Sequence, residues 1–580
     1  MSGYEGGPSG GDDFDDYGDY EDRSAKDDFE DDLGGLDGVG IPEVDVGFGE
    51  DPPDSGGAAT GDDRRGARFG GSGKAASRGR AAEARRRPGD GLSWAVGGLD
   101  SSGRRVTRVA IIGVIVALVL LAAFADRSPA RTTVADAGAT NTAMPLSAPG
   151  RAISTSWFCA GPVGSPAHLA AGSLVIANAA SRSLAGTVSF VGSAGAMSSR
   201  DVHVAPGSST TVMEPTVAAN AFLGAIVDLD GGQAAVQQVI SGTEGSSSMA
   251  CATAGSGAWY FPAGTTQENS SLSLMLLNPF PEDAIADLSF TTNQGAEDPA
   301  DFQGLVVPGG TLLGVDLGGH LRDRSAVATS VHLRVGRLVA FETQIVQAQT
   351  SSQQQVAGAG AWPPGLDLTL GTPSPGTEWW WPSGVDGSGE TEEYVLYNPT
   401  GSVAQVSLGA ALDQGSAEPF QVTVQPDTVS VVTTNSESRI PMGVGHAAWL
   451  KSRNGVGVVA TRLVMSAASA PSPGITAVLG SRLTAASWLV PGDAAASAEN
   501  ASVVVYNPGP KATTVSITPF GASDRRQVTI GPGRRNVLSL GSTDPVLVAG
   551  PAGAQLVVEA DTTVVHGVGL DSALGVPLSS

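Results

Sequence analysis

Hydrophobic and polar residues alternate along most of residues 151–580, as they do in strands that bury one face. In the stretch 421–424, Val422 and Val424 fall on one face, whereas Gln421 and Thr423 fall on the other. Turn residues separate such runs about every 8–12 residues. This period of two is typical of antiparallel sheets that keep one face in water, so the pattern predicts a mainly β fold.

The same stretch carries a pattern that recurs four times, at a spacing of about 100–120 residues. Each repeat starts at a tryptophan, and an apolar run that ends in asparagine follows about 20 residues later. Three of the asparagines precede proline, which ends a strand, and asparagine itself bonds readily to nearby backbone. The tryptophans are Trp157, Trp259, Trp381 and Trp488, and the asparagines are Asn178, Asn278, Asn398 and Asn507.

Each repeat has room for about seven short strands, which is the number in an immunoglobulin-like sandwich. We therefore predict tandem immunoglobulin-like antiparallel β-sandwiches. A β-propeller is the alternative, in which each repeat would form two blades. The predicted sandwiches cover 156–255, 256–350, 377–470 and 485–580, with a Gln/Gly/Pro-rich linker over 351–376 and a stalk over 126–155.

An uncharged apolar stretch over 109–125 predicts a transmembrane α-helix. Arg104, Arg105 and Arg108 precede it, and an excess of basic residues marks the cytoplasmic side of a span. We therefore expect a single-pass protein of the cell membrane with a cytoplasmic N-terminus and an extracytoplasmic C-terminal part. A cleaved signal peptide is the alternative, because 123–125 has a small-x-small pattern.

Charge is distributed unevenly in this chain, whose net charge is −25. Residues 1–63 are rich in aspartate and glycine and predict a disordered acidic tail. This tail either stays solvated and folds back on its basic neighbour or contacts a cytosolic protein as its partner. Residues 64–108 are basic and predict a disordered juxtamembrane region. An acidic protein without a large basic surface is a poor partner for phosphate, so we expect no nucleic acid partner.

Two cysteines, Cys159 and Cys251, bracket the first repeat. A disulfide between them is the favoured interpretation, because it agrees with an exported domain. Two free buried thiols are the alternative. Neither cysteine has a neighbouring His or Asp that would complete a metal site.

Catalytic motifs do not stand out in the sequence. The six histidines are scattered, and neither a zinc-binding HExxH motif nor a GxSxG nucleophile elbow occurs. We therefore expect no catalytic residues, no metal and no cofactor.

The run Trp379-Trp380-Trp381 is the most unusual local feature. One tryptophan satisfies the repeat, and we assign that place to Trp381. Trp379 and Trp380 are then surplus, and exposed indoles can stack on a sugar or a protein. They are therefore candidate ligand contacts, with packing against the adjacent linker as the alternative.

The series of W-x-x-P-G, LxNP and VxVxPG segments over about 150–575 resembles an actinobacterial envelope family known as domain of unknown function 5719. The WWWPSG segment at 379–384 and the YNP triplets at 397–399 and 506–508 carry this resemblance. The family has no assigned activity. The resemblance therefore implies a surface location and no catalytic residues.

We expect a non-enzymatic envelope protein whose β-sandwich array binds or scaffolds wall or membrane components. The expected partners are the lipid bilayer and a cell-wall polymer or envelope proteins. A transmembrane signalling protein with a sensing ectodomain is one alternative. An envelope enzyme that acts on glycan is the other.

Overall fold

The structure is a computed structural model, and it describes residues 145–163, 169–215, 221–348, 361–384, 387, 389–415, 417–492, 500–522, 525–540, 542–563 and 568–579. Its regular structure is antiparallel β-strand, apart from two three-residue 3₁₀ turns, Ala300–Phe302 and Thr434–Ser436. The strands form eight sheets of four or five strands each. The predicted mainly β fold with sandwich-like antiparallel sheets is therefore confirmed.

One part of the predicted fold class needs correction. Among the described residues no helix is long and apolar enough to cross a membrane, since a spanning helix needs about 20 residues and the helical pieces there are single turns. The predicted transmembrane α-helix, and the single-pass membrane localisation that depended on it, are contradicted. Residues 109–125 lie outside the described residues, as do the acidic tail 1–63 and the basic region 64–108.

Sandwich 1 contains the first eight strands. They are β1 (Thr155–Val163), β2 (Leu169–Asn178), β3 (Leu184–Gly192), β4 (Gly195–Val204), β5 (Ser208–Met213), β6 (Ala221–Leu229), β7 (Ala234–Gly242) and β8 (Gly245–Ala250). One sheet has the order β1-β6-β3-β4 and the other β5-β2-β7-β8. The chain thus crosses repeatedly between the two sheets, which is the connectivity of a sandwich and not of two successive propeller blades.

Sandwich 2 follows the same plan with one extra short strand. Its strands are β9 (Ala258–Phe261), β10 (Ser270–Asn278), β11 (Ala284–Thr292), β12 (Gly295–Glu297), β13 (Leu305–Val307), β14 (Thr311–Asp316), β15 (Val327–Val335), β16 (Val339–Val346) and β17 (Gly365–Leu370). The orders are β14-β10-β16-β17 and β12-β11-β15-β9, with β13 also paired to β11. β17 lies inside the stretch 351–376 that the sequence predicts as a linker, and it closes this sandwich.

Sandwiches 3 and 4 complete the series. The strands of sandwich 3 are β18 (Glu378–Trp381), β19 (Glu390–Asn398), β20 (Ala404–Leu412), β21 (Phe420–Val424), β22 (Thr428–Thr433), β23 (His446–Ser452), β24 (Val459–Ser466) and β25 (Gly474–Leu479). Those of sandwich 4 are β26 (Ser487–Val490), β27 (Asn500–Asn507), β28 (Thr513–Pro519), β29 (Arg526–Ile530), β30 (Arg534–Leu540), β31 (Val546–Ala549), β32 (Val557–Thr563), β33 (Leu570–Leu574) and β34 (Val576–Pro577). Their sheet orders are β18-β23-β20-β21 with β22-β19-β24-β25, and β29-β28-β31-β26-β34 with β30-β27-β32-β33.

The asparagine of each repeat ends a central strand and is fully buried. In sandwich 2, Asn278 Nδ2 donates to the carbonyls of Glu282 at 2.8 Å and Val307 at 3.0 Å, while its Oδ1 accepts from the N–H of Phe280. Asn178, Asn398 and Asn507 make the same bonds. The amide thus ties together the strand end, its turn and the neighbouring strand, because a buried amide needs partners for every donor and acceptor.

The tryptophan that occupies the repeated position in sandwich 3 is Trp379, where the sequence analysis assigned Trp381. Its indole N–H donates to Val458 O at 3.0 Å, just as Trp259 donates to Leu338 O and Trp488 to Leu556 O. With Trp379 in this role, the interval to Asn398 equals the Trp-to-Asn intervals of the second and fourth repeats. Trp381 is an addition, and its N–H donates to Val478 O at 2.9 Å.

Apolar side chains join each sandwich to the next. Phe158 and Val191 of sandwich 1 belong to the same buried cluster as the core of sandwich 2. Tyr260 of sandwich 2 packs with Tyr397 of sandwich 3, and Trp380 of sandwich 3 packs on the core of sandwich 4. Leu489 and Val576 of sandwich 4 lie in the core of sandwich 1, so the four sandwiches form a closed ring.

Candidate functional site

The closing strands β8, β17, β25 and β33 meet at the centre of the ring, each in contact with the next and β33 again with β8. A side-chain oxygen of each strand accepts a hydrogen bond from a backbone N–H of the following strand, at the same position in every sandwich. These bonds run from Leu368 N to Ser247 Oγ (3.0 Å), from Ala477 N to Asp367 Oδ1 (2.8 Å), from Ser572 N to Thr476 Oγ1 (3.2 Å) and from Ser248 N to Asp571 Oδ1 (3.0 Å).

A glycine lies two residues before each of these acceptors, at Gly245, Gly365, Gly474 and Gly569. The strands converge closely here. A Cβ built on Gly365 would lie 2.6 Å from the backbone nitrogen of Ile475 in the next strand. Because no Cβ fits at such a distance, a side chain at Gly365 would require the neighbouring strand to shift.

A cavity of about 110 Å³ lies at the centre of the ring, and we call it the axial cavity. All four sandwiches contribute to its wall, through the segments 248–250, 368–372, 477–483 and 572–575. An engineered apolar cavity of about 150 Å³ accepts benzene. The axial cavity is therefore of the size that receives one ring or the end of a chain.

The residues that line the axial cavity include apolar ones, among them Leu368, Leu479 and Leu574. One described wall residue is a cation, Arg482, whose Nη1 donates to Ser374 O at 3.0 Å and to Ser374 Oγ at 2.7 Å. Its guanidinium also lies 5.6 Å from the centroid of the Trp379 ring. Burial lowers the pKa of Arg482, and its charge is held in the wall by these contacts.

Three residues of the cavity wall carry hydroxyls, namely Ser248, Thr369 and Ser572. Each hydroxyl donates its hydrogen to a carboxylate, and we call these three residues the hydroxyl floor. The acceptors are Asp571 for Ser248, Asp367 for Thr369 at 2.7 Å and Asp561 for Ser572 at 2.8 Å. Burial raises the pKa of Asp367 to about 6, so Asp367 is mostly ionised at neutral pH and accepts both of its bonds.

Trp379 and Trp380, the two candidate ligand contacts, lie in different environments in the structure. Trp379 lines the axial cavity, although only 1% of its surface is exposed. Trp380 is half-buried and packs on the core of sandwich 4. Its place is the seam between two sandwiches, and it is not among the described residues of the cavity wall.

Cys159 and Cys251 form a disulfide that joins β1 to the residue after β8. The other sandwiches fill the same two positions without a covalent bond. In sandwich 3 they are Trp381 and Gly480, and a Cβ on Gly480 would lie 2.7 Å from the indole. In sandwich 2 they are Phe261 and Gly371, with the same separation. The disulfide thus replaces an aromatic ring packed on glycine.

A buried charged cluster lies at the seam between sandwiches 3 and 4. Arg462 Nη2 bonds Glu559 Oε1 at 2.6 Å, and Glu392 accepts from His446 Nε2 at 3.2 Å and from Tyr394 Oη at 3.2 Å. Burial raises the pKa of Glu559 to about 7 despite the arginine. Burial opposes ionisation of Glu392 as well, but its interactions with His446 and Arg462 outweigh burial and lower the pKa of Glu392. This cluster fixes the seam, and none of its members lines the axial cavity.

Over the part of the chain that the structure describes, no group of three His, Cys, Asp or Glu side chains is arranged to hold a metal ion. The hydroxyl floor and the ring of hydrogen bonds were missed in the sequence analysis. Their signal was present in the four short segments GSSSM, GLDLT, GITAV and GLDSA, each with Ser, Asp or Thr two residues after glycine. Two of these segments, GLDLT and GITAV, lie beyond the predicted ends of sandwiches 2 and 3 at residues 350 and 470.

The described residues thus form an all-β ring of four sandwiches around a cavity of about 110 Å³. Residues 230–461 match the model of a family of unknown function, DUF5719. This confirms the resemblance to that family over those residues, whereas an actinobacterial origin stays a prediction. No curated protein matches the sequence.

Two solved structures show distant similarity to this chain. A mutant of the major pilin of Streptococcus pyogenes is 8% identical, with 54% of this chain and 100% of the pilin chain covered and a TM-score of 0.11. The Streptomyces avermitilis α-L-rhamnosidase, solved with L-rhamnose, is 9% identical, with 73% of this chain and 43% of that chain covered and a TM-score of 0.11. Scores this low carry no argument about function.

Proposed function

We propose that the ring of sandwiches is a non-enzymatic binding module that receives one end of its ligand in the axial cavity. The observation that carries this proposal is the shared wall, since all four sandwiches place residues around one cavity. Ligand sites are typically concave and mostly apolar, with a few polar groups that fix orientation. The indoles, leucines and hydroxyls of the axial cavity have this composition.

The ring also supports a scaffold role in the same proposal. Each sandwich packs on two neighbours through buried side chains, so the positions of the surface loops are fixed relative to the cavity. A preorganised site loses less entropy when it binds. The partner that we propose to test first is a cell-wall polymer, with envelope proteins as the second choice.

The test is co-sedimentation of the full chain with an insoluble cell-wall polymer. Ala573 lines the axial cavity, and Ala573→Trp would fill it. We expect this variant to lose at least tenfold in affinity, which is about 1.4 kcal/mol. Ala196→Trp is the matched control, because Ala196 is exposed on the outer strand β4.

Three results would contradict the proposal. The first is equal binding by Ala573→Trp, Ala196→Trp and the unchanged chain. The second is the absence of polymer binding together with a failure to retain any envelope protein. The third is chemical cleavage of the polymer during the incubation, which would favour an enzyme.

A further inference from the structure

The closing strands β8, β17, β25 and β33 each lie at one edge of their sheet. Among the described strands, none pairs with the edge that faces the centre of the ring. Such an edge presents backbone N–H and C=O groups that can pair with another extended chain. Because buried backbone groups almost always have hydrogen-bond partners, a cavity that borders these edges favours a ligand that both donates and accepts.

The pairing of β25 shows which of its backbone groups face the axial cavity. Gly480 N–H donates to Ala460 O of β24. Backbone groups of successive residues in an antiparallel strand point to opposite sides, so the N–H and C=O of Leu479 point away from β24. Ala477, two residues earlier, has the same direction, because its N–H donates to Asp367 of β17.

β25 and the residues that follow it form the longest part of the cavity wall. Residues 477–483 line the cavity without a gap, a longer run than any other closing strand contributes. Ala477 and Leu479 are half-buried, whereas all six residues of β8 are buried. The backbone of Leu479 is therefore well placed to meet a ligand.

Charges around the cavity disfavour an ionic ligand. Arg482 places a cation in the wall, and it repels a ligand cation. Asp367 and Asp571 accept backbone hydrogen bonds from neighbouring closing strands, and their carboxylates repel a ligand anion. An amide carries donors and acceptors without a net charge, so neither repulsion applies to it.

From these observations we infer that the axial cavity binds a secondary amide of an extended peptide, whose N–H and C=O pair with the C=O and N–H of Leu479. This inference rests on the proposed binding function and names the chemical class of the ligand. The bound residue lies beside β25 as a further strand does, which is how extended peptides add to exposed sheet edges.

The wall favours a peptide over other carriers of the same group. An N-acetylated sugar also has a secondary amide, but each of its ring hydroxyls needs a polar partner when it is buried. Leucine, alanine and tryptophan recur in the wall, and they suit an apolar side chain. The cavity volume of about 110 Å³ restricts that side chain to a small one.

The experiment compares three neutral probes of the same shape on the full chain by saturation-transfer NMR: N-ethylacetamide, ethyl acetate and diethyl ether. The amide has both N–H and C=O, the ester has only C=O, and the ether has neither. We expect the amide to bind about tenfold more tightly than the ester, and the ester more tightly than the ether, because each step leaves one backbone group of Leu479 unpaired.

Leu479→Pro removes the N–H that meets the ligand carbonyl. Proline is acceptable at an edge whose N–H takes no part in the sheet. We expect this variant to lose about tenfold in affinity for the amide and the ester and to bind the ether unchanged. Leu479→Ala is the matched control, because it loses the side chain, keeps the N–H and should keep the preference for the amide.

Two larger probes distinguish the sources of the amide. N-acetylalanine N-methylamide represents a peptide, and N-acetylglucosamine represents a sugar. We expect the peptide probe to bind at least tenfold more tightly, and tighter binding of the sugar would overturn the choice of a peptide.

Thermal unfolding verifies that both variants of Leu479 fold, and the comparison of amide with ester on the unchanged chain needs no variant. Equal binding of these two probes would overturn the inference, as would binding of none of the probes. An unchanged affinity of folded Leu479→Pro for the amide would also overturn it. None of these results decides the polymer assay, in which Ala573→Trp tests the cavity itself.

Discussion

Asp571 of β33 accepts a hydrogen bond at 3.0 Å from the backbone N–H of Ser248 in β8, which lies 323 residues earlier in the chain. Ser248 Oγ donates to the second oxygen of the same carboxylate. Both residues are buried. This pair joins the last sandwich to the first, so it closes the ring.

Replacing this carboxylate should weaken the closure. Asp571→Ala would leave the buried N–H of Ser248 without its acceptor, and we expect a loss of about 2 kcal/mol in the free energy of unfolding. Thermal unfolding followed by circular dichroism measures the effect. Asp298→Ala is the control, since Asp298 is exposed, and similar melting of the two variants would contradict a role for Asp571 in closure.

The disulfide of sandwich 1 should be replaceable by the arrangement of its neighbours. Cys159→Ala with Cys251→Ala should lose about 4 kcal/mol in the chain-entropy model, because the bond closes a long loop. Cys159→Phe with Cys251→Gly recreates the pair Phe261 and Gly371 of sandwich 2 and should recover part of that loss. Denaturant unfolding under non-reducing conditions compares the variants, and an aromatic pair no more stable than the alanine pair would refute the equivalence.

Gly480 should not tolerate a side chain. The Cβ of Gly480→Ala would lie 2.7 Å from Cε2 of the buried Trp381 indole, so the ring must move, at a cost of about 1–3 kcal/mol. Gly401→Ala is the matched control, because a Cβ there meets nothing within 4 Å. A shift in melting temperature confined to Gly480→Ala is the expected result. Unchanged tryptophan emission and melting in that variant would contradict the contact.

Stability should fall as the pH rises through the neutral range. Burial, with the nearby charge of Asp367, raises the pKa of Glu342 to about 8 from an ordinary value of 4.5. The folded chain therefore holds a proton between these values that the unfolded chain has released, so folding loses stability across that window as pH increases. Glu342→Gln removes this titration while it keeps an acceptor for Thr329 Oγ1.

We expect Glu342→Gln to match the unchanged chain at pH 5 and to be more stable by about 3–4 kcal/mol at pH 8. Denaturant midpoints at the two pH values measure this difference. Glu418→Gln is the control, because Glu418 is exposed. A constant difference at both pH values would show that titration of Glu342 does not cause the effect.

The local features of the fold were predictable because they depend on neighbours in the chain. A period of two predicted the strands, and the asparagine anchors predicted where the central strands end. Trp379 was assigned incorrectly because three tryptophans stand together, although the interval to Asn398 distinguishes them. The Trp-to-Asn interval was therefore a better guide to the repeated tryptophan than the WPSG motif.

The ring and its cavity were beyond the sequence analysis because they depend on contacts between distant residues. Nothing near Ser248 indicates that its partner is Asp571, and β17 was hidden in a stretch whose glycine and proline content predicted a linker. The predicted boundaries therefore ended the second and third sandwiches before β17 and β25. The hydroxyl floor comes from three different sandwiches, so no local motif contains it.

Closure of the ring restricts the gain or loss of whole sandwiches during evolution. A protein built as an open series can gain or lose a module at either end, because each module contacts only its neighbours. Here Leu489 and Val576 lie in the core of sandwich 1. Deletion of one sandwich would therefore expose two apolar surfaces, and insertion of one would change the angle between every pair of neighbouring sandwiches. The number of sandwiches is therefore fixed at four, and this number sets the width of the central opening.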